Sequence, residues 1–369
     1  MLSITGTLTR TVSAKRARVT IRQVASTAGV STQTISRVIN GRPDVSADTR
    51  RRVESVIEQL GYRPSALARS LVRKRSYTLG VVTAGLRIIG PSRTLAGITA
   101  HAATTGYALL LEELPRYDVQ DTAPIFEALV SRHVDGIIWA VPEVGANRDW
   151  IERLPARLEV PIVYLTMEPR PHLSAVSIDN YRGGRLAMAH LLAQGFRKIA
   201  HIAGPLDWWE ARQRMAAWRD ALHEAGLIAD DNCWSEGDWS SVSGEAAAEQ
   251  LFQRYPAMDA IFVANDQMAL SVLHTAPLHS RRVPHDLGVV GFDNIPESAY
   301  FLPALTSVQQ DQHNVGKVAV EEIVRIIEAR QGGLPPPQPK SIMLSPTLIV
   351  RRSSDRLANE NEGGEAKGR

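Results

Sequence analysis

The sequence predicts two modules: a small all-α helix-turn-helix head, then a larger α/β core built as two similar halves. Three observations carry this. Residues 19–40 repeat apolar positions at helical spacing on either side of a glycine turn. From residue 77 onward, short apolar strands alternate with helical stretches. Charge divides between the two parts: residues 1–76 hold 15 Lys/Arg against 4 Asp/Glu, and the remainder 27 against 35. A basic head on an acidic body is the electrostatic footprint of a head that meets phosphates.

In VTIRQVASTAGVSTQTISRVIN, Thr20 and Gln23 form a capping box at a helix start. Ile21, Val24 and Ala25 supply its apolar face. Gly29 ends the helix, because glycine tolerates the left-handed conformation of an abrupt turn. Ser31 opens a second helix, with Ile35, Val38 and Ile39 inward and Thr32, Gln33, Ser36 and Arg37 outward. Two helices joined so tightly match a DNA-binding unit whose second helix enters the major groove N-terminus first. An ordinary helical hairpin is the plainer alternative; turn, caps and outward polar set occurring together argue against it. Ser46 starts a third helix with Val53, Val56, Ile57 and Leu60 on one face and Gly61 as its C-cap. Arg50, Arg51 and Arg52 serve either phosphate contact or solubility. After Pro64, a short helix-prone linker is too short to be stable alone. Within it a leucine can wedge between base steps of a minor groove.

The strands of the core are LGVVT (79–83), YALLLEE (107–113), GIIWAV (136–141) and VPIVYL (160–165). The pattern restarts after AVSID (175–179), with KIAHIAG (198–204), DAIFVAN (259–265) and LGVVGFD (287–293). Alternation with helices implies parallel sheets covered on both faces. Two halves imply a cleft between them, at the carboxyl ends of the strands, where α/β proteins bind small ligands. GLPPPQP (333–339) reads as a polyproline-like connector, and SIMLSPTLIVR as one last extended segment. The expected domains are a disordered basic arm (1–18), the head (19–64), the linker (65–76), the core (77–352) and a disordered tail (353–369).

A lone cysteine, Cys233, excludes an intrachain disulfide framework. The chain shows no membrane-length apolar run and no apolar signal segment, so a cytoplasmic protein is expected. It has no GxGxxG, P-loop, GxSxG or HExxH, so no enzyme, cofactor or metal site is expected. His201, in a strand pattern, reads as a satisfied core residue.

The head segment through YRPSALARSL, with VDGII, SIDNYRGG, RMAAWRDAL, VANDQMAL, VPHDLGVVGFDN and PALTSVQQD, resembles the LacI/GalR family of transcriptional regulators over residues 19–352. Several pieces, with EGDWS (236–240), are closer to the lactose-responsive members than to the purine-responsive ones. The resemblance implies a hinge helix and a core of two Rossmann-like subdomains, of type I periplasmic-binding-protein architecture. It implies a dimer on pseudo-palindromic double-stranded DNA, acting as a repressor under control of a small-molecule effector, with a sugar favoured. Thr32, Gln33 and Arg37 fall where the family reads bases, with Ser31 and Asn40 beside them, and Leu71 is the minor-groove wedge. Arg214, Trp239, Asn265 and Asp293 match residues that hold the effector, and Gln310 and Ser92 are further candidates. The chemistry suits a sugar: Asp accepts from adjacent hydroxyls, Arg and Asn fork between them, and Trp covers the ring.

Each of these has a structural alternative. Trp239 can be plain core and Asp293 a loop cap. Asp266 and Gln267 read as caps of the following helix. Trp208 and Trp209 either line the cleft mouth or seal an interface. Thr166 and Ala84 stand where lactose-responsive members carry an aspartate and a serine, with Arg87, Ser92 and Arg93 as possible substitutes. That departure puts a β-galactoside in doubt. A sugar receptor without regulatory role, or a regulator answering a purine or nucleoside, are the competing functions. No C-terminal heptad suggests a tetramerisation helix.

Overall fold

A computed structural model describes residues 19–62, 75–119, 121–148, 150 and 160–356. They form two compact units divided between Ser76 and Tyr77. The expected basic arm, Leu71 with most of the hinge, and the end of the tail lie outside the described residues.

The head has three helices: α1 (Ile21–Ala28), α2 (Thr32–Ile39) and α3 (Ala47–Leu60). The capping box is present, with Gln23 N donating to Thr20 Oγ1 at 3.3 Å and Thr20 N to Gln23 Oε1 at 2.8 Å. Gly29 takes φ +63° and lets the chain turn into α2. Val24, Ile35 and Val53, one from each helix, are fully buried and close a core too small to tolerate much loss. Thr20→Ala removes one half of the capping box. It should destabilise the head by about 1 kcal/mol, read as roughly fivefold faster amide exchange in α1 of the intact chain.

In the core, the first subdomain begins with β1 (Thr78–Ala84), α4 (Ile89–Thr104), β2 (Ala108–Leu114) and α5 (Ala123–Ser131). It continues through β3 (Gly136–Ala140), β4 (Ile162–Leu165) and β5 (Ala175–Ile178). The second holds α6 (Asn180–Ala193), β6 (Ile199–Ala203), α7 (Trp209–Glu224), β7 (Trp234–Glu236) and α8 (Ser241–Arg254). It continues through β8 (Ala260–Val263), α9 (Asp266–Thr275), β9 (Gly288–Asp293) and β10 (Thr306–Gln309). α10 (Gln312–Gln331) and β11 (Ser341–Leu344) return to the first subdomain, and β12 (Thr347–Ile349) to the second. The sheets run β11-β5-β4-β3-β1-β2 and β12-β10-β9-β8-β6-β7, parallel except for the β10–β12 pair. The chain therefore crosses between subdomains three times: after β5, after β10 and between β11 and β12.

α10 lies against α4 with the two backbones in contact. A Cβ on Gly97 would meet His313 O at 2.0 Å, and one on Gly316 would meet Thr94 O at 2.3 Å, so only glycine fits at this crossing.

Two expectations change. The last extended segment is two strands in different sheets, because the chain makes its third crossing at Ser345–Pro346. The core also runs past Arg352: Ser353 and Ser354 are fully buried. Ser353 Oγ donates to Val289 O at 2.6 Å and accepts from Thr306 N at 2.8 Å. The Ser353 hydroxyl thus satisfies backbone groups of β9 and β10, while that of Ser354 bonds the side chains of Thr306 and His190, polar roles that composition hides. His201 is a core residue but not the satisfied one expected: Nδ1 lies 2.8 Å from Phe262 O, and Nε2 has no partner among the described residues. The ring stacks on Trp218 and Phe262, and burial pushes the imidazole down to about 3.

Candidate functional site

On the head, Thr32, Gln33 and Arg37 are exposed on α2. Arg37 makes a surface ion pair with Asp44 at 3.4 Å, weak enough to yield to a stronger partner. Ser31 is the N-cap of α2, accepting from Thr34 N at 3.1 Å. Asn40 is its C-cap, with Nδ2 donating to Ser36 O at 2.8 Å. Both side chains thus fix the ends of the helix, which aims the three exposed residues. The basic run of α3 is divided. Arg50 ties α3 to the loop after α2 by donating to Arg42 O at 2.5 Å, and Arg51 pairs with Asp48. Arg52 is exposed.

Between the core subdomains lies a cleft, partly open to solvent, with a cavity volume of about 80 Å³. Its lining, apolar with a few convergent polar groups, is that of a small-molecule site. The structure brings together Arg214, Trp239, Asn265, Asp293 and Gln310 at its wall. Ser92 is not among them. It is exposed, and its hydroxyl donates to Leu86 O. Thr94, two residues further along α4, lines the cleft instead, because two positions on a helix point to different faces.

Arg214 projects from α7 and is buried. Nε donates to Asn180 Oδ1 at 2.9 Å, Nη1 to Ala264 O, and the guanidinium lies 3.8 Å from the Phe292 ring centre. Its Nη2 bonds to no described residue. Asp293 ends β9, enclosed by protein but open to the cleft, and its Oδ1 accepts from Gln310 Nε2. Burial raises its carboxyl above the ordinary range, and Arg214 opposes that rise. Asn180 follows the first crossing between subdomains, and Gln310 lies in the second. Each member of the charged pair is therefore hydrogen-bonded to a residue at a crossing.

Asn265 has a double structural role. Its Oδ1 caps α9 through Met268 N at 2.9 Å, and its Nδ2 donates to Trp239 O at 2.9 Å. Asp266, expected as a helix cap, instead accepts from Ile295 N, Ser298 Oγ and Ser307 Oγ at 2.6–2.9 Å. It braces the loop that follows Asp293. Thr166, Trp239 and Asp293 all have positive φ, 52°, 74° and 106°. Non-glycine residues held there carry backbone strain, which collects at functional sites. A Cβ on Gly204 would lie 2.1 Å from the Trp239 ring, so glycine there makes room for the indole.

Trp208 and Trp209 separate in role. Trp209 is buried, whereas Trp208 lines the cleft and contacts Trp239 at 5.7 Å and Tyr117, from the first subdomain, at 4.9 Å. The three rings form an aromatic bridge across the cleft.

Sequence reasoning missed Glu210, Asn180 and Gln312, which also line it. Glu210 carried a usable signal: it precedes Arg214 by four residues, hence on the same helix face. Glu210 Oε2, Trp239 Nε1 and Gln312 Oε1 are buried and have no hydrogen-bond partner among the described residues. Burial pushes the Glu210 carboxyl up to about 7, opposed by its own backbone N–H and by Arg214, with Glu143 adding to the rise. An acid harder to ionise folded than unfolded stabilises most below the ordinary carboxylate range, and that stability is lost as pH rises through about 7. Glu210→Gln should therefore raise the melting temperature of the ligand-free protein at pH 8 by roughly 5–10 °C and change it little at pH 4. Thermal denaturation at both values checks this.

No group of three or more His, Cys, Asp or Glu among the described residues is placed to hold a metal. No described helix is long and apolar enough to cross a membrane.

A helix-turn-helix head joined to a two-lobed core with a polar and aromatic cleft between the lobes defines a class: DNA-binding regulators that carry an effector-binding domain. The model for bacterial regulatory proteins of the lacI family matches residues 20–65, and that for the periplasmic binding protein-like domain matches residues 188–354. The chain is 33% identical to the lactose operon repressor of Escherichia coli over 92% of both chains. It is 35% identical to the regulator CelR of Thermobifida fusca, over 92% of this chain and 99% of CelR. It is 31% identical to the repressor PurR of Aliivibrio salmonicida, over 92% and 99%. A lac repressor dimer bound to operator and the anti-inducer ONPF superposes with a TM-score of 0.82, at 31% identity over 91% of this chain and 99% of that one. A CelR–cellobiose complex gives 0.66, at 32% over 91% and 100%. The chain belongs to the lacI family of bacterial regulatory proteins, and is a DNA-binding transcriptional regulator.

Proposed function

We propose that this regulator is a dimeric repressor whose operator binding is controlled by a carbohydrate held in the core cleft. The observation that carries the ligand class is the set of buried polar atoms without partners among the described residues, drawn from both sides of the cleft: an indole N–H, a carboxyl oxygen and an amide oxygen. With Arg214 Nη2 they ask for a ligand that both donates and accepts at several points. Adjacent hydroxyls do this, since each is donor and acceptor. The aromatic bridge suits the apolar face of a pyranose. The lac repressor dimer bound to operator and the CelR–cellobiose complex support the same reading.

On DNA, Thr32, Gln33 and Arg37 read base edges, and Leu71 is the wedge in the minor groove. Two copies bind related half-sites. The effector, engaging Arg214 and Asp293, draws on the residues they hold at the crossings, Asn180 and Gln310. A changed angle between subdomains then alters how the two heads are presented. Only a difference in effector affinity between the two states is needed. Kinship with PurR favours a second reading, in which a purine stacks on Trp208 and Trp239. A thermal-shift screen of the full chain against sugars and nucleosides tests the ligand class. A shift with sugars only is expected, and a shift with a purine base or nucleoside only would overturn it.

A further inference from the structure

Glu210 supplies one of the unpartnered atoms that favour a sugar, and it is the least comfortable side chain in the cleft. It is 8% exposed, and Oε2 has no partner among the described residues. It sits in the first turn of α7, a helix that begins without a side-chain cap. Such a helix start attracts anions, but here the chain's own carboxyl occupies it.

The charge census of the described wall is short. Its ionisable side chains are Arg214, Asp293 and Glu210, two acids against one base. Arg214 is balanced by Asp293 and held by Asn180 and Ala264. No other base lines the described wall, and Arg212 and Arg93 stand behind it, where their charges favour ionised Glu210 and Asp293. Arg212 donates to Leu206 O and Asp207 O, Arg170 pairs with Glu143, and Arg93 reaches Asp293 O at 3.5 Å. One feature favours negative charge: α4 also starts at the cleft without a side-chain cap. Pro91 removes one of its N–H groups.

We infer that Glu210 is a specificity determinant that bars anionic ligands, so that the effector is a sugar without phosphate or carboxylate groups. An anion entering here would meet a second buried acid, with Arg214 the one base on the described wall. A neutral hydroxyl donating to Oε2 would satisfy the orphaned oxygen instead. This rests on the carbohydrate reading above.

Isothermal titration of the full-length protein tests it, with neutral sugars paired against acidic counterparts. The pairs are glucose with glucose 6-phosphate and glucuronate, galactose with galacturonate, and cellobiose and lactose with their aldonic acids. At about pH 9, where the Glu210 carboxyl, pushed up to about 7, is ionised, the neutral sugar that binds should do so at least ~100-fold more tightly than its acidic partner. E210Q should narrow that gap by at least ~10-fold, with E210S as a second variant should the amide disturb folding. Equal or tighter binding of an acidic partner by the wild-type chain, or a gap unchanged in both variants, overturns the inference and leaves the carbohydrate reading standing. Binding of a purine base or nucleoside, with no sugar from either set, overturns the carbohydrate reading and the inference with it.

Discussion

Asp293→Ala abolishes the response to effector while the protein still binds its operator: that is the largest effect expected from the cleft. Two losses combine. The ligand loses a carboxylate able to accept from adjacent hydroxyls, and the buried Arg214 loses the partner that balances it. A hydrogen bond to a charged group is worth roughly 1.5–3 kcal/mol, so losing two from the ligand should lower effector affinity by about 100-fold or more. Titration with the sugar identified in the screen measures this, and fluorescence anisotropy on labelled operator follows the response. Because Asp293 lies in the core unit, the reading surface of the head stays intact. A variant that lost operator binding yet still responded to ligand would place Asp293 in the wrong role.

Gln33→Ala gives the largest effect expected from the head. Gln33 is exposed at the start of α2, the end that enters the major groove first, and an amide there can bond two-fold to adenine. Each such contact discriminates by about 1–3 kcal/mol. A dimer makes it twice, so operator affinity should fall by roughly 30-fold or more while binding to scrambled DNA changes little. Selection of binding sites from a random pool, followed by anisotropy with selected and scrambled duplexes, gives both numbers. Equal losses on the two would mean that Gln33 contacts only the backbone.

Much of this architecture is legible in the sequence because its signals are local. The capping box at Thr20 and Gln23, the turn at Gly29 and the apolar spacing of α1–α3 each lie within a few residues. The strand–helix alternation that marks two subdomains is equally local. The cleft is legible only in part. Arg214, Trp239, Asn265 and Asp293 come from four separate places in the chain and meet only once both sheets form. Resemblance located them, while composition and periodicity did not. What the sequence hides is which atom each side chain engages. Asn265 reads as a ligand contact, yet both ends of its amide are bonded to protein. Asp266 reads as a cap, yet it braces the loop after Asp293. Ser92 fails by two residues, because register on α4 depends on where that helix begins. Glu210 and Gln312 pass unnoticed because an unpartnered buried atom becomes visible only when everything around it is placed.

The central claim is that cleft and operator are energetically coupled, and linkage makes that measurable from either side. The effector Kd should be determined for the full-length protein with saturating operator and with scrambled duplex, and the operator Kd with and without effector. The account requires the two ratios to agree, at a factor of roughly 5–150. An effector affinity that is the same with operator and with scrambled DNA would contradict it.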